Sequence, residues 1–214
     1  MLFILRNLRD TISIMPTDLT SENLEAALKL LAGRLDLADT EPVRLVVCGG
    51  SALIAMGLIE RATQDVDVIA LMDPDRSLRS PSPLPDFLLR AAGEVARDLG
   101  LAEDWLNNGP SRDEGGLFQL GLPSGFAERL EERRYGPRLS VYFVGRVDQI
   151  HFKLYAATDR GGVHLNDLLA LTPTAAELEQ AARWAMTHDV SEGFRMVLKD
   201  LLRQLDHESV ADRI

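Results

Sequence analysis

Two neighbouring stretches of the chain carry most of the information about its fold: RLVVCGGS at residues 44–51 and RATQDVDVIAL at residues 61–71. The first is β-branched and apolar and runs into two glycines, a pattern typical of a strand that turns into a helix. Ser51 to Met56 then favours a short helix, which Gly57 ends. The second stretch is rich in Val and Ile and predicts another strand at residues 65–71. Strand, glycine turn, helix and strand together indicate an α/β arrangement.

The remaining periodicity extends this arrangement in both directions. Apolar residues at helical spacing predict helices at 21–36 and 86–99, four further helices at 147–159, 164–171, 175–187 and 192–206, and a third strand at 139–144. The Pro- and Ser-rich residues 73–85 favour a loop, and the charged residues 131–134 a turn. We therefore expect an α/β (α+β) core with a small mixed sheet flanked by helices over residues 15–145. A helical C-terminal subdomain, packed on that core, is expected over residues 146–214.

Composition limits the classes of function. Asp and Glu number 33 against 23 Lys and Arg, giving a formal net charge of -10. Such a chain repels phosphate backbones at long range, which disfavours general DNA binding. Cys48 is the one cysteine, so no internal disulfide can form, and this fits a reducing compartment. No apolar stretch reaches the roughly 18 residues of a membrane span, so we expect a cytoplasmic protein. Residues 1–14 do not resemble a signal peptide. Met15 is an alternative start, with the first 14 residues an upstream extension or a short strand.

Asp65 and Asp67 are the first candidates for chemistry. Side chains at i and i+2 of a strand share a face, so these two carboxylates would lie side by side and repel each other. A divalent cation relieves that repulsion. Magnesium is the natural choice because it prefers oxygen ligands and combines one or two carboxylates with substrate phosphates. If the strand extends back, Arg61 and Thr63 share the same face.

Gly49, Gly50 and Ser51 form the second half of the candidate site. They lie where a strand passes into a helix N-terminus, and backbone N–H groups there favour an anion. The glycines let a phosphate approach the backbone closely, and the Ser51 hydroxyl adds a donor. Each half alone is a weak signal, because Gly-Gly is usually a tight turn and Asp-x-Asp usually a solvated face.

Taken together, Gly49-Gly50-Ser51 with Arg61, Thr63, Asp65 and Asp67 resemble the minimal nucleotidyltransferases of the DNA polymerase beta-like superfamily. The nearest resemblance is to the AbiEii-like toxin branch of abortive-infection and toxin–antitoxin systems. The resemblance implies a nucleotidyltransferase fold, a nucleoside triphosphate substrate and one or two Mg²⁺ ions held by Asp65 and Asp67. It assigns nucleotide binding to Gly49, Gly50, Ser51, Arg61 and Thr63.

A second block adds to this resemblance. KLYAATDR at residues 153–160, followed by Asn166-Asp167-Leu168, resembles the lysine helix and the Asp-Leu helix of the toxin branch. It implies that Lys153 and Asp167 join Asp65 and Asp67 as catalytic residues and that Arg160 binds nucleotide. Lys153 and Arg160 lie two helical turns apart on one face, so both could reach the same phosphates.

One departure from the superfamily pattern concerns the third carboxylate. Catalytic members usually carry it on a later strand, but LSVYFV at residues 139–144 has no acid. Asp148 and Asp167 are the remaining candidates. The missing acid leaves a second hypothesis, in which the protein is not catalytic and binds a nucleotide or a partner.

The acceptor also stays open. The toxin branch implies the 3′ end of a tRNA and an antitoxin partner protein. A tRNA would need a local basic groove from residues such as Arg129, Arg133, Arg134 and Arg138. Members of the superfamily also modify small antibiotics and protein side chains, and an acidic surface suits a cationic antibiotic better than RNA. The other notable residues have plainer interpretations: Trp105 as a core aromatic, Cys48 as a small buried residue, and His151 and His164 with no assigned role.

Overall fold

The computed structural model describes residues 16–214. The alternative start at Met15, and the expectation that the first 14 residues form an extension or a short strand, lie outside the described residues. Within the described residues six strands form one sheet. They are β1 (Val43–Cys48), β2 (Val66–Met72), β3 (Leu78–Arg79), β4 (Leu106–Asn107), β5 (Glu131–Arg134) and β6 (Leu139–Phe143).

The sheet is mixed, with the order β3-β2-β1-β6-β5, and β4 pairs with β2 beyond this path. Strand β1 runs antiparallel to β2 and parallel to β6. The register of the first pair places Cys48 opposite Asp67. The glycine turn that follows Cys48 therefore emerges beside Asp67 of β2.

Helices cover both faces of the sheet. The helices before β6 are α1 (Ser21–Leu37), α2 (Gly49–Ala55), α3 (Asp86–Leu99) and α4 (Leu117–Leu120). Helices α1 and α3 bury their apolar residues against one face of the sheet, in a core that includes Leu28, Val95 and Val141. A second cluster, which includes Val46, Tyr142 and Phe152, fills the opposite face. The sequence prediction of a small mixed sheet flanked by helices is confirmed.

The C-terminal part is helical, as predicted. It comprises α5 (Arg146–Arg160), α6 (Val163–Ala170), α7 (Ala175–His188), α8 (Glu192–Gln204) and α9 (Glu208–Arg213). Their apolar faces form a cluster that also takes in Leu53 of α2, so these helices pack against the glycine-turn helix. The domain boundary after residue 145 stays a prediction.

Local signals for helix starts act as expected. Thr20 caps α1 by accepting a hydrogen bond from the Asn23 N–H. Thr174 and Glu177 form a reciprocal capping box at the start of α7. Such caps satisfy backbone donors that a helix leaves unpaired in its first turn.

The prediction of a turn at residues 131–134 is wrong, because these residues form strand β5. This strand pairs antiparallel with β6 at the edge of the sheet, and all four of its residues are exposed. An edge strand with charges on both faces has no apolar alternation, and the charges discourage pairing with other chains. Strand β3 lies inside the region predicted as a loop, and helix α9 was not predicted.

Trp105 is confirmed as a core aromatic: it is fully buried, and its indole N–H donates to the Ala92 carbonyl at 2.9 Å. Cys48 is likewise buried. Over residues 16–214 the structure contains no helix that is long and apolar enough to cross a membrane.

Candidate active site

The glycine turn lies directly against the acidic strand. Gly49 has a φ of +73°, and a Cβ added there would meet Asp67 Oδ2 at 2.7 Å. A Cβ on Gly50 would lie 2.8 Å from Thr63 Oγ1 and 3.2 Å from Arg61 Nη2. Any larger residue would collide with these polar groups. The structure therefore brings together both glycines, Arg61, Thr63 and Asp67. They can lie this close because the two glycines have no side chains.

The residues before β2 reach the same region without forming a continuous strand. Strand β2 begins at Val66, and Thr63 makes only an isolated antiparallel bridge with Leu19. The Thr63 hydroxyl donates to Asp65 Oδ1 at 3.3 Å. The condition that the strand extends back to Arg61 is thus not met, but Thr63 and Asp65 still lie side by side.

Asp67 is in an environment that opposes its charge. Burial and the neighbouring charge of Asp65 raise its pKa to about 7, although Lys153, Arg160 and the Asn107 side chain act in the opposite direction. Two carboxylates in one partly buried site cannot both ionise without cost. A divalent cation between them would remove that cost, so the carboxylate pair fits an oxygen-binding ion such as Mg²⁺.

Ser51 and Cys48 lie inside the turn. The Ser51 hydroxyl is buried and donates to the Cys48 carbonyl at 3.3 Å, so it supports the turn. Burial and the charge of Asp67 raise the pKa of the Cys48 thiol well above its usual range. A buried thiol that stays protonated is a packing group.

Asp167 organises the cations of the site. Arg61 binds it in a bidentate pair, with Nε 2.7 Å from Oδ1 and Nη2 2.6 Å from Oδ2, and Lys153 Nζ lies 2.7 Å from Oδ2. The Asp167 and Lys153 side chains are only 2% and 6% exposed. Burial acts to raise the pKa of Asp167, but the hydrogen bonds and charges of Arg61 and Lys153 outweigh it and lower that pKa. This cluster ties the segment before β2 to helices α5 and α6.

Arg160 differs from Lys153 because its side chain is 65% exposed and makes only a loose contact of 3.6 Å with Asp159. Its charge nevertheless lowers the pKa of Asp67. Arg160 is therefore a solvent-accessible cation close to the carboxylate pair.

Neither remaining candidate for a third acid presents a free carboxylate. Asp148 is completely buried, and Arg129 contacts its two oxygens at 2.9 and 2.6 Å. Both oxygens of Asp167 are bound by Arg61 and Lys153. Among residues 16–214, no group of three or more His, Cys, Asp or Glu residues is arranged to hold a metal ion. Any ion at Asp65 and Asp67 would complete its ligands with water and substrate oxygens.

Three residues near the site were not predicted from the sequence. Asn107 pairs directly with Asp67 in the parallel register of β4 and β2, and Gly109 follows it. His164 has a buried Nδ1 without a hydrogen-bond partner within the described part of the chain. Burial and the charges of Lys153 and Arg160 lower its pKa. The Asn107-Asn108-Gly109-Pro110 sequence signals a turn, but its position beside Asp67 depends on long-range pairing.

The four arginines proposed for a nucleic-acid groove are largely engaged within the chain. Arg129 binds Asp148, Arg138 pairs with Asp39, and Arg133 donates to the Ala55 carbonyl at 2.6 Å. Arg134 is exposed on the edge strand β5. An arginine paired with an internal partner contributes less to attracting a phosphate backbone.

Comparison with known protein families agrees with this geometry. The family model described as "Nucleotidyltransferase of unknown function (DUF6036)" matches residues 23–170, a range that contains all the site residues described above. The chain belongs to this nucleotidyltransferase family. No curated protein and no solved structure gives a significant match.

Proposed function

We propose that this protein catalyses the Mg²⁺-dependent transfer of a nucleotide from a nucleoside triphosphate to an acceptor hydroxyl. The observation that carries the proposal is the contact between the Gly49–Gly50 turn and Asp67, beside Asp65. Family membership supports a nucleotide substrate. The cations near Asp67 support the binding of a polyphosphate.

Each group has a role that follows from its surroundings. Asp65 and Asp67 would hold one or two Mg²⁺ ions, which would neutralise charge on the triphosphate and on the pyrophosphate leaving group. The Gly49–Gly50 turn leaves room for a phosphate close to the backbone. Arg160, which is exposed, would contact the phosphates directly, and Arg61 and Lys153 would supply charge from positions fixed by Asp167.

In the proposed reaction the acceptor oxygen forms a bond to the α-phosphorus, and the bond from that phosphorus to the oxygen of pyrophosphate breaks. The acceptor proton is released together with pyrophosphate. Asp167 is assigned here to hold Lys153 and Arg61 and not to bind the ion, because both of its oxygens are already occupied.

A small molecule or a protein is a second candidate for the acceptor besides the tRNA 3′ end that the AbiEii-like resemblance implies. The internal pairing of Arg129, Arg133 and Arg138 favours it, as does the net charge of -10. An antitoxin partner belongs to the tRNA proposal, because both rest on the same resemblance.

The test is a transfer assay with each labelled nucleoside triphosphate, Mg²⁺ and three acceptors: total tRNA, an aminoglycoside panel and the protein itself. Wild type is compared with Asp67→Asn, and Asp113→Asn, a change in an exposed loop, is the matched control. We expect label incorporation by wild type and by the control, and a loss of at least about 100-fold in Asp67→Asn.

The acceptor that receives label identifies the substrate class. Equal background incorporation by all three proteins on every acceptor would contradict the proposal. Binding of Mg²⁺–nucleotide by wild type without any transfer would favour the non-catalytic binding protein.

A further inference from the structure

The turn at Asn107–Gly109 lies against Asp67 on the side opposite the Gly49–Gly50 turn. Asn107 lies next to Asp67 in the register of β4 and β2. A Cβ on Gly109 would lie 4.0 Å from Asp67 Oδ1, whereas the Gly49 turn approaches Oδ2. The two oxygens of Asp67 thus face two different turns, and both turns have glycine where they approach the carboxylate.

The two ends of the Asn107 side-chain amide make different contacts. Its Oδ1 accepts a hydrogen bond from the Gly109 N–H at 2.6 Å, which closes an Asx turn. Its Nδ2 donates to the Asp104 carbonyl at 3.3 Å, and the amide group of this strand neighbour of Asp67 acts to lower the pKa of that carboxyl. Because the Gly109 N–H fixes the oxygen, the amide cannot flip without losing that bond, and its NH₂ group keeps its place on the residue paired with Asp67.

Contacts on both sides hold this turn in place. The Val66 N–H donates to the Trp105 carbonyl at 2.5 Å, and the Ser111 hydroxyl donates to the Ile69 carbonyl at 2.9 Å, so both ends are fastened to β2. A group mounted on such a fixed turn can orient a neighbouring carboxylate.

We propose that Asn107 is a positioning residue that orients the Asp67 carboxylate for metal binding. This inference rests on the proposed function. Residues that hydrogen-bond a metal ligand fix its orientation, and their loss typically weakens metal affinity or activity by about 10–100-fold. The donor at position 107 would act through Asp67 and need not touch the ion or the nucleotide.

Asn107→Ser separates this role from a purely structural one. Serine can accept the Gly109 N–H in a similar turn but cannot reach Asp67 with an amide donor. Asn107→Thr serves the same purpose and also favours the strand conformation of β4. Asn108→Ala is the matched control, because it removes a loop contact to Pro81 from the residue next to Asn107.

The first readout is binding of Mn²⁺, used as a probe for Mg²⁺ and followed by electron paramagnetic resonance on the full chain without nucleotide. We expect the dissociation constant to rise by about 10–100-fold in Asn107→Ser and to change by less than about 3-fold in Asn108→Ala. The thermal unfolding midpoint in EDTA checks that each variant is folded. The second readout is the Mg²⁺ dependence of transfer, where Asn107→Ser should need more Mg²⁺ but recover its rate at saturation.

The outcomes separate this proposal from the proposed function. The role of Asn107 would be overturned if wild type binds Mn²⁺, Asp67→Asn does not, and folded Asn107→Ser and Asn107→Thr bind it as tightly as wild type. The proposed metal site would remain intact in that case. A rate that does not recover at high Mg²⁺ would also overturn the role of Asn107, because it would indicate a damaged loop. Absence of Mn²⁺ binding in wild type, together with background transfer at every Mg²⁺ concentration, would overturn both proposals.

Discussion

Asp67→Asn should stabilise the folded protein at pH 8 when no divalent ion is present. The pKa of Asp67 is raised to about 7 by burial and by Asp65, compared with an ordinary value of 3.8. Between these two pH values the folded chain holds a proton that the unfolded chain has released. Raising the pH through this window therefore destabilises wild type, and above pH 7 the full cost is present. Asparagine has nearly the same shape and carries no charge, so the variant avoids that cost.

The pKa shift sets the size of the effect. A shift of about 3 units corresponds to about 4 kcal/mol, which is a ceiling. Asp67 is partly exposed to solvent, which screens its charge, so we expect a gain of about 1–3 kcal/mol in the free energy of unfolding. For a chain of this size that gain corresponds to a rise of about 3–10 °C in the unfolding midpoint.

The assay is thermal unfolding of wild type, Asp67→Asn and the control Asp113→Asn in EDTA, from pH 4.5 to pH 8. The advantage of Asp67→Asn should be largest at pH 8 and much smaller at pH 4.5, while the control follows wild type. Adding Mg²⁺ should raise the midpoint of wild type and reduce the difference, because a ligand that binds only the folded state stabilises it. A variant less stable than wild type at pH 8 in EDTA would refute the view that burial and Asp65 oppose the charge of Asp67.

Two further predictions concern the charge pairs of the C-terminal helices. Asp167→Asn should lower the free energy of unfolding by about 3–5 kcal/mol in urea at pH 7, because it leaves Lys153 and Arg61 without their shared partner; a loss below about 1 kcal/mol would contradict this. Glu177 has its pKa lowered to about 2 by Arg146, so its contribution is present above pH 4.5 and is lost as the pH falls towards 2. Glu177→Gln should cost about 1–2 kcal/mol at pH 7, and a difference from wild type that stays constant down to pH 2 would disprove the assignment.

The parts of the fold that local chemistry determines could be predicted from the sequence. The caps at Thr20 and Thr174 and the apolar periodicity of α1 and α3 act within a few residues, so their positions follow from the local pattern. Strand β5 could not be predicted in this way. Its exposed charges carry no strand periodicity, and only the pairing with β6 makes it extended.

The candidate site likewise has parts that follow from local sequence and parts that depend on long-range contacts. The Gly-Gly turn and the Asp-x-Asp motif at the start of β2 are local motifs, and antiparallel pairing of β1 with β2 is enough to bring them together. Asn107 could not be predicted, because it reaches Asp67 through a two-residue strand that has no pattern of its own. The partner of Lys153 is also long-range: it depends on how α6 packs on α5.

The charge arrangement explains how an acidic chain can bind a nucleotide. Three carboxylates (Asp65, Asp67 and Asp167) lie among three cations (Arg61, Lys153 and Arg160), so the site is close to neutral before any ligand arrives. Divalent ions would make it positive at the point where a triphosphate adds negative charge. Affinity for a nucleotide then depends on this local balance and not on the net charge of -10. A nucleic-acid acceptor would need further cations along its backbone, and the internal pairs of the groove arginines do not supply them. The same electrostatics therefore favour a nucleotide donor and an acceptor that is small or is a protein.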